Sequence, residues 1–278
     1  MISVITPVYN GEQFVESCIK VVIAQACCSV EHIIVDGDST DRTVDIIKQY
    51  AEQYPHIRWV SEKDDGQSDA MNKGSAMAKG EILGILNVDD FYEPNVLSRV
   101  SDFFKTLAEP SFIVGNCNVW GDEGELIRVD KPNKLKLLDL LSLSSHFPVN
   151  PSAYFYHKSL HQKIGGYTVD EHYAMDIDFI LKAVQEARVY YVDETWGNYR
   201  FIKGTKTLIS IENGQQMPHL KRILKKYRKN LPLFQRWQAA IGVTVSFRIK
   251  YFLDNPQNLL PVLKAKLRKI FGLAASDG

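Results

Sequence analysis

Through its first hundred residues the chain alternates short apolar runs with stretches of helical period. Ile2–Thr6, His32–Val35, Ile57–Val60 and Glu81–Leu86 are runs of strand length. Between them apolar positions fall three and four apart. One set is Phe14, Cys18 and Val21, with Gln25 at its edge; the next is Val44, Ile47 and Ala51, behind a Ser39 or Thr40 cap. The spacing predicts a third helix over Gln67–Lys79 and a fourth opened by Pro94, with Leu97, Val100, Phe104 and Leu107 on one face. Further on, Phe112–Trp120, Leu126–Val129 and Val189–Val192 read as strands. Residues 174–185 read as a helix after a Gly165-Gly166 turn, and from Ile211 the chain reads helical.

Strand and helix in strict alternation imply right-handed crossovers. The expected architecture is α/β: a doubly wound, Rossmann-like, mostly parallel mixed sheet with helices on both faces. In such a sheet ligands bind beyond the carboxyl ends of the strands. Polar clusters fall at four of those ends: Thr6–Asn10, Asp36–Asp38, Glu62–Gly66 and Asn87–Asp90. Solubility does not explain four such clusters, whereas one active-site rim does.

Composition adds little to this picture, and charge distribution adds more. The 278 residues are 45% apolar and 24% charged with a formal net charge of zero, as for an ordinary globular protein. From His219 onward, however, thirteen Lys or Arg stand against two acidic residues, a net of +11 that leaves −11 on the first 218 residues. Six of those cations lie within Lys221–Lys229. Near the end, Leu263, Leu267, Ile270 and Phe271 form an apolar stripe flanked by Lys264, Lys266, Arg268 and Lys269. That pattern fits a helix lying on an anionic membrane, or equally a solvated face packed on the acidic body. No nucleic-acid motif accompanies the charge.

The four cysteines (Cys18, Cys27, Cys28, Cys117) lack metal-ligand spacing and are expected as free thiols. The opening ISVITPVYN has no signal-peptide pattern and no run reaches membrane-spanning length. The expectation is therefore a cytoplasmic protein, with peripheral contact at the cytoplasmic face of the inner membrane through the basic tail.

Five segments in order, TPVYN at 6–10, VDGDSTDRT at 35–43, DGQSDAMNKG at 65–74, GEILGILNVDD at 80–90 and AMDIDF at 174–179, resemble family 2 glycosyltransferases of GT-A fold. They are most similar to bacterial members that build O-antigens, capsules and exopolysaccharides. The resemblance covers residues 1 to about 205 and implies a catalytic domain there, with residues 206–278 as a basic helical extension. It implies an inverting transfer from a nucleoside-diphosphate sugar, expected as a UDP-sugar, to a saccharide or lipid-linked saccharide hydroxyl. Thr6, Pro7, Tyr9 and Asp36 would line the nucleoside pocket, since Asp36 can accept from a base N–H and Tyr9 offers a flat surface. Asp69, Asn72 and Lys73 would face the sugar-nucleotide, and Arg200 would pair with the diphosphate.

Asp89-Asp90 is the sharpest signal. Adjacent carboxylates repel one another unless a cation lies between them, and hard oxygen ligands suit Mg²⁺ or Mn²⁺. One would bind the metal and the other the ribose; the sequence does not choose between them. Asn87 stands where relatives are commonly acidic, which points to a lean metal site. The resemblance selects Asp176 as the base that deprotonates the acceptor. Asp178 would point about 200° away on a helix of ~3.6 residues per turn. Asn150 stands where relatives often carry His, so no histidine ligand is expected. Two other readings remain open. One is a non-catalytic nucleotide-sugar-binding protein of the same fold, consistent with Asn87 and Met175. The other is a sugar nucleotidyltransferase, which lacks its Gly-rich loop here. Gln235-Arg236-Trp237 has the wrong spacing for the motif of processive synthases.

Overall fold

The computed structural model of the chain describes residues 1–25 and 29–254. In chain order the first elements are β1 (Ile2–Val8), α1 (Val15–Ile23), β2 (Val30–Asp36), α2 (Thr43–Gln53), β3 (Ile57–Ser61), α3 (Gln67–Met77) and β4 (Ile82–Ile85). Then come β5 (Phe91–Tyr92), α4 (Val96–Phe104), β6 (Ser111–Trp120), β7 (Leu126–Asp130), α5 (Leu137–Ser142), β8 (Tyr154–His157) and α6 (Lys158–Ile164). The last are α7 (Met175–Glu186), β9 (Arg188–Arg200), α8 (Lys206–Glu212), α9 (Gln216–Arg228) and α10 (Leu233–Asp254).

One mixed sheet runs β3-β2-β1-β4-β8-β6-β9-β5, with β7 paired to β6. The β3-β2-β1-β4 half is parallel throughout, as is the β6-β9 pair; β8 is antiparallel to both its neighbours. Strand alternation separates two cores. Ile5, Ile33, Val35, Leu83, Ile85, Phe112 and Tyr154 face α3, α7 and α9. Ile2, Val4, Ile34, Ile82, Leu86, Ile113 and Phe155 face α1, α2 and α4. Both faces of a central strand are thus apolar, which is why these strands read as continuous runs rather than as alternations. Gly84 is required where β4 meets β8, since a Cβ there would fall 2.5 Å from the Phe155 ring.

Local differences from the sequence expectation have physical reasons. The helix expected at Pro94 begins at Val96, because Asn95 takes a left-handed conformation (φ 61°) ahead of it. The strand expected at Val189–Val192 runs on to Arg200, paired along β6 through two register shifts. Its polar second half, DETWGNYR, is held by that long-range ladder rather than by local propensity. Cys18 and Cys117 are buried thiols, while Cys27, Cys28 and the 263–271 stripe lie outside the described residues.

The stretch from residue 206 joins the body. Ile223, Leu224, Tyr227, Ala239 and Val243 belong to the same core as Tyr154 and Phe179. Arg222 and His219 hold the buried Glu171, and Lys226 reaches Asp178 at 3.2 Å. Part of the charge asymmetry is therefore satisfied within the fold. No helix among the described residues is long and apolar enough to cross a membrane.

Candidate active site

The parallel half of the sheet brings the four polar clusters to one edge. At the end of β2, Asp36 is fully buried, and its carboxylate accepts from Ser39 N (3.0 Å), Ser39 Oγ and Ser61 Oγ (2.7 Å). The β1–α1 and β2–α2 loops are stitched together beside it. Asn10 Oδ1 accepts from Thr40 N (2.9 Å), and Asp41 accepts from Glu12 N and from both Thr43 donors. Tyr9 projects from this junction, 64% exposed, with its ring open to stacking. Pro7 is buried in β1 at a point where pairing with β4 has already ended at Ile5, so its missing N–H costs no ladder bond.

Thr6 is placed differently from its expectation. Alternation along β1 turns its side chain inward, where Oγ1 is hydrogen-bonded with His32 Nε2 (2.9 Å) and lies 3.7 Å from Cys18 Sγ. It supports the sheet beneath the pocket rather than lining it. Asn72 is likewise displaced from the proposed sugar face. Its Nδ2 donates to Tyr167 O (2.8 Å) and its Oδ1 accepts from Tyr167 N (2.9 Å), so the amide pins the glycine turn to α3. Lys73 is held by Glu62 (2.9 Å), Asp69 (3.2 Å) and the Lys63 carbonyl (3.0 Å). Asp69 also accepts from Asp65 N (3.2 Å), which organises the turn before α3.

That turn leads to the aspartate pair. Gly66 starts α3 at φ 101°, a conformation that favours glycine, and its N–H donates to Asp64 (2.8 Å). The next side chain, Gln67, donates to Asn87 Oδ1 (2.9 Å), and Asn87 Nδ2 donates to Asp90 Oδ2 (3.0 Å). Asp90 is 3% exposed and also accepts from Asn150 Nδ2 (2.7 Å) and from the Arg200 N–H (3.2 Å). Asn150 is oriented by its other end, because Oδ1 caps the short 3₁₀ turn Pro151–Ala153 by accepting from Ser152 N (2.8 Å).

Burial pushes the Asp90 carboxyl well above the ordinary carboxylate range, and the charge of Asp89 pushes the same way; Asn150, Asn87 and the Arg200 N–H oppose them. Burial also raises Asp89, against the pull of Arg200. The Arg200 guanidinium lies over the Phe91 ring, 4.9 Å from its centroid, at the mouth of this pair. No group of three His, Cys, Asp or Glu able to hold a metal occurs among the described residues. Two adjacent carboxylates, both raised by burial and Asp90 also by the charge of Asp89, still fit a hard cation that takes most of its ligands from water and diphosphate. Asn87 thus joins this site as a hydrogen-bond donor rather than as a third carboxylate.

Asp176 and Asp178 are separated by their surroundings. Asp178 is 1% exposed and accepts from Thr168 Oγ1 (2.7 Å), Lys182 Nζ (2.9 Å), Tyr227 Oη (2.9 Å) and Lys226 Nζ (3.2 Å). Those bonds, the Lys182 one foremost, hold its carboxyl below the usual range despite burial. Asp176 instead lines a cavity of about 550 Å³ together with Gln67, Asn87, Asn150 and Tyr199. Tyr154 Oη lies 3.5 Å from its Oδ1. The candidate base and the amides that hold Asp90 therefore share one cavity. Gln67, at the start of α3, and Tyr154 were not foreseen as site residues; the places of Tyr154 and of Tyr199 depend on β8 and β9 pairings that no local signal encodes.

Comparison with known proteins bears on what this cavity does. Residues 3–165, more than half of the chain, match the family described as Glycosyl transferase family 2. The chain belongs to that family. It is 28% identical over 253 residues to a PGL/p-HBAD biosynthesis glycosyltransferase of Mycobacterium bovis, covering 89% of this chain and 95% of the relative. It is 39% identical over 106 residues to an uncharacterized glycosyltransferase of Nostoc sp., covering 38% of this chain but 33% of that one. The chain thus spans about a third of the length of some curated relatives. Among solved structures, S. aureus TarS in complex with UDP superposes with a TM-score of 0.66 at 18% identity, over 92% of this chain and 73% of that one. A mannosyltransferase of Pyrobaculum calidifontis in complex with GDP-Man and Mn²⁺ gives 0.58 at 20%, over 96% and 80%. These likenesses establish the fold as GT-A. The family 2 match and the GT-A neighbours thus agree on the fold that carries this site.

Proposed function

We propose that the enzyme transfers a sugar, with inversion, from a UDP-sugar to a hydroxyl of a saccharide acceptor, with Asp176 as the base. The observation that carries this reading is the single cavity shared by Asp176 and by Asn87 and Asn150, which hold Asp90. The acceptor oxygen attacks the anomeric carbon from the face opposite the leaving group, and Asp176 takes its proton. The bond from that carbon to the diphosphate oxygen breaks, and its electron pair stays on the diphosphate. Asp36 and Tyr9 hold the base, Pro7 shapes the floor beneath it, and Arg200 pairs with the diphosphate. Asp69 and Lys73 edge the donor side, and Asp89 and Asp90 hold Mg²⁺ or Mn²⁺ and the ribose. When bound, such a cation supplies Lewis-acid stabilisation of the leaving group.

The UDP in the TarS complex and the Mn²⁺ in the mannosyltransferase complex support the donor and metal readings. The net charge of +11 from His219 onward supports a lipid-linked acceptor, met by peripheral contact with a membrane. Nucleoside-diphosphate release from a panel of UDP- and GDP-sugars, with Mn²⁺, tests the reading. Asp176→Asn should lose about 10²–10⁴-fold in kcat while keeping donor affinity. Turnover equal to wild type in Asp176→Asn would overturn the base assignment.

A further inference from the structure

Helix α10 presents a row of large apolar side chains to solvent. Leu233 is 74% exposed, Phe234 80%, Trp237 73%, Ile241 57% and Val245 47%. At ~100° per residue, Phe234, Trp237, Ile241 and Val245 fall within about 80° of arc, a single stripe. The helix is not free to roll this stripe inward. Its other side is fixed on α5, where a Cβ on Gly242 would fall 2.8 Å from the Ser142 carbonyl, and Ala239 and Val243 are buried in the core. Exposed apolar residues scattered singly need no explanation, but a contiguous stripe of aromatic and aliphatic side chains does.

Its surroundings indicate what covers it. Lys225 on α9 and Lys229 just past its end are exposed, Lys225 on the side of α9 opposite the buried Ile223 and Tyr227, as the stripe lies opposite Ala239 and Val243 on α10. Residues 216–245 contain no acidic side chain, so a second copy packed stripe to stripe about a two-fold axis would offer these cations no opposite charge from the same two helices. An anionic surface meets them with opposite charge, and an aromatic pair with a basic rim suits the headgroup boundary of a bilayer. We infer that the α10 stripe, with Lys225 and Lys229, is a docking face for anionic phospholipid bilayers. The inference deepens the membrane-contact part of the proposed function and is independent of the assignment of Asp176.

The test is co-sedimentation of the full chain with vesicles of phosphatidylcholine alone or mixed with phosphatidylglycerol, alongside donor turnover in solution. Wild type should bind the mixed vesicles at least about tenfold better than the neutral ones. Phe234→Ser/Trp237→Ser and Lys225→Glu/Lys229→Glu should each lower binding about tenfold or more, with nucleoside-diphosphate release unchanged. Because all four side chains are exposed, folding should survive, and circular dichroism checks it. Retained binding in Phe234→Ser/Trp237→Ser would place the contact elsewhere in the chain and overturn the proposal. Overturning it equally would be failure of wild type to bind while turnover proceeds, or a dimer in sedimentation velocity that Trp237→Ser dissolves. Loss of turnover with vesicle binding intact would instead count against the transfer reading alone.

Discussion

Replacing Asn150 with Asp probes the buried carboxylate site most directly. The substitution is nearly isosteric and keeps the cap, since a carboxylate oxygen still accepts from Ser152 N as Oδ1 does now at 2.8 Å. What it removes is the donor 2.7 Å from Asp90, and what it adds is a third acid beside two that are already raised. A lost hydrogen bond to a charged group costs about 1.5–3 kcal/mol. Repulsion at 4 Å adds about 4 kcal/mol at an effective dielectric near 20. A shared proton sets the ceiling, because holding one carboxyl protonated at pH 7.5, against an ordinary value near 3.9, costs about 5 kcal/mol. The net loss is therefore about 3–5 kcal/mol at pH 7.5. At about 2–4 °C per kcal/mol for a domain of this size, Tm in EDTA should fall by about 6–20 °C. Two further outcomes carry the sign. At pH 5 the same ceiling shrinks to about 1.5 kcal/mol, so the deficit should narrow as the solution supplies the proton. Mn²⁺ should raise the Tm of Asn150→Asp more than that of wild type, because a cation neutralises three carboxylates instead of two. Thermal unfolding in EDTA and in Mn²⁺, with Asn150→Ala as the control for the lost donor alone, measures all of this. A deficit that is equal in the two variants, and indifferent to pH and to Mn²⁺, would refute the reasoning.

Other outcomes follow from groups outside that cluster. Asn72→Ala should destabilise the fold by about 1–3 kcal/mol, since it unpairs the buried Tyr167 backbone, and leave KM for the donor unchanged; a raised KM would return Asn72 to the sugar face. Burial pushes the His161 imidazole down to about 4, with Lys182 and Lys158 acting the same way. Between that value and the unfolded 6.5 the unfolded chain holds the extra proton, so stability is lost as pH falls through the window, by about 3 kcal/mol in all. In His161→Phe the decline of Tm from pH 6.5 to 4 should be shallower, and an unchanged slope would exclude His161 as its source. Asp178→Asn should cost about 2 kcal/mol and increase hydrogen exchange in α9, because the partly exposed Lys182 and Lys226 lose their shared anion; exchange unchanged in α9 would show that apolar packing alone holds it.

Legibility in the sequence tracked sequence distance. Strands β1 to β4 announce themselves because each is apolar on both faces, and their polar ends follow from parallel crossovers. Asp36 and Asp90 sit at such ends, which is why motif and topology agree about them. The second half of the sheet offers no such signal. Strand β8 is four residues inserted antiparallel between β4 and β6, and the polar half of β9 exists through its ladder on β6. Asn150, Tyr154, Tyr199 and the Arg200 backbone reach the site on or beside those strands, so the environment of Asp90 could not be read from residues 87–90. Thr6 and Asn72 fail for the opposite reason. Their segments lie in the expected place, but strand alternation and a backbone partner 95 residues away turn their side chains elsewhere.

The basic extension bears on catalysis through the same distance. Helix α7 carries two acids two residues apart, and nothing within it decides which one meets the cavity. The decision comes from α9, whose Lys226 and Tyr227, nearly fifty residues on, take hold of Asp178 and fix the rotation of α7 about its axis. Arg222 and His219 fasten Glu171 just before that helix begins. With the helix so held, Asp176 is left on the cavity side beside Tyr154. The proposed base is therefore placed by the segment that also precedes the exposed stripe of α10. A docking face on α10 and a base on α7 would be joined by one rigid clamp rather than by a flexible tether.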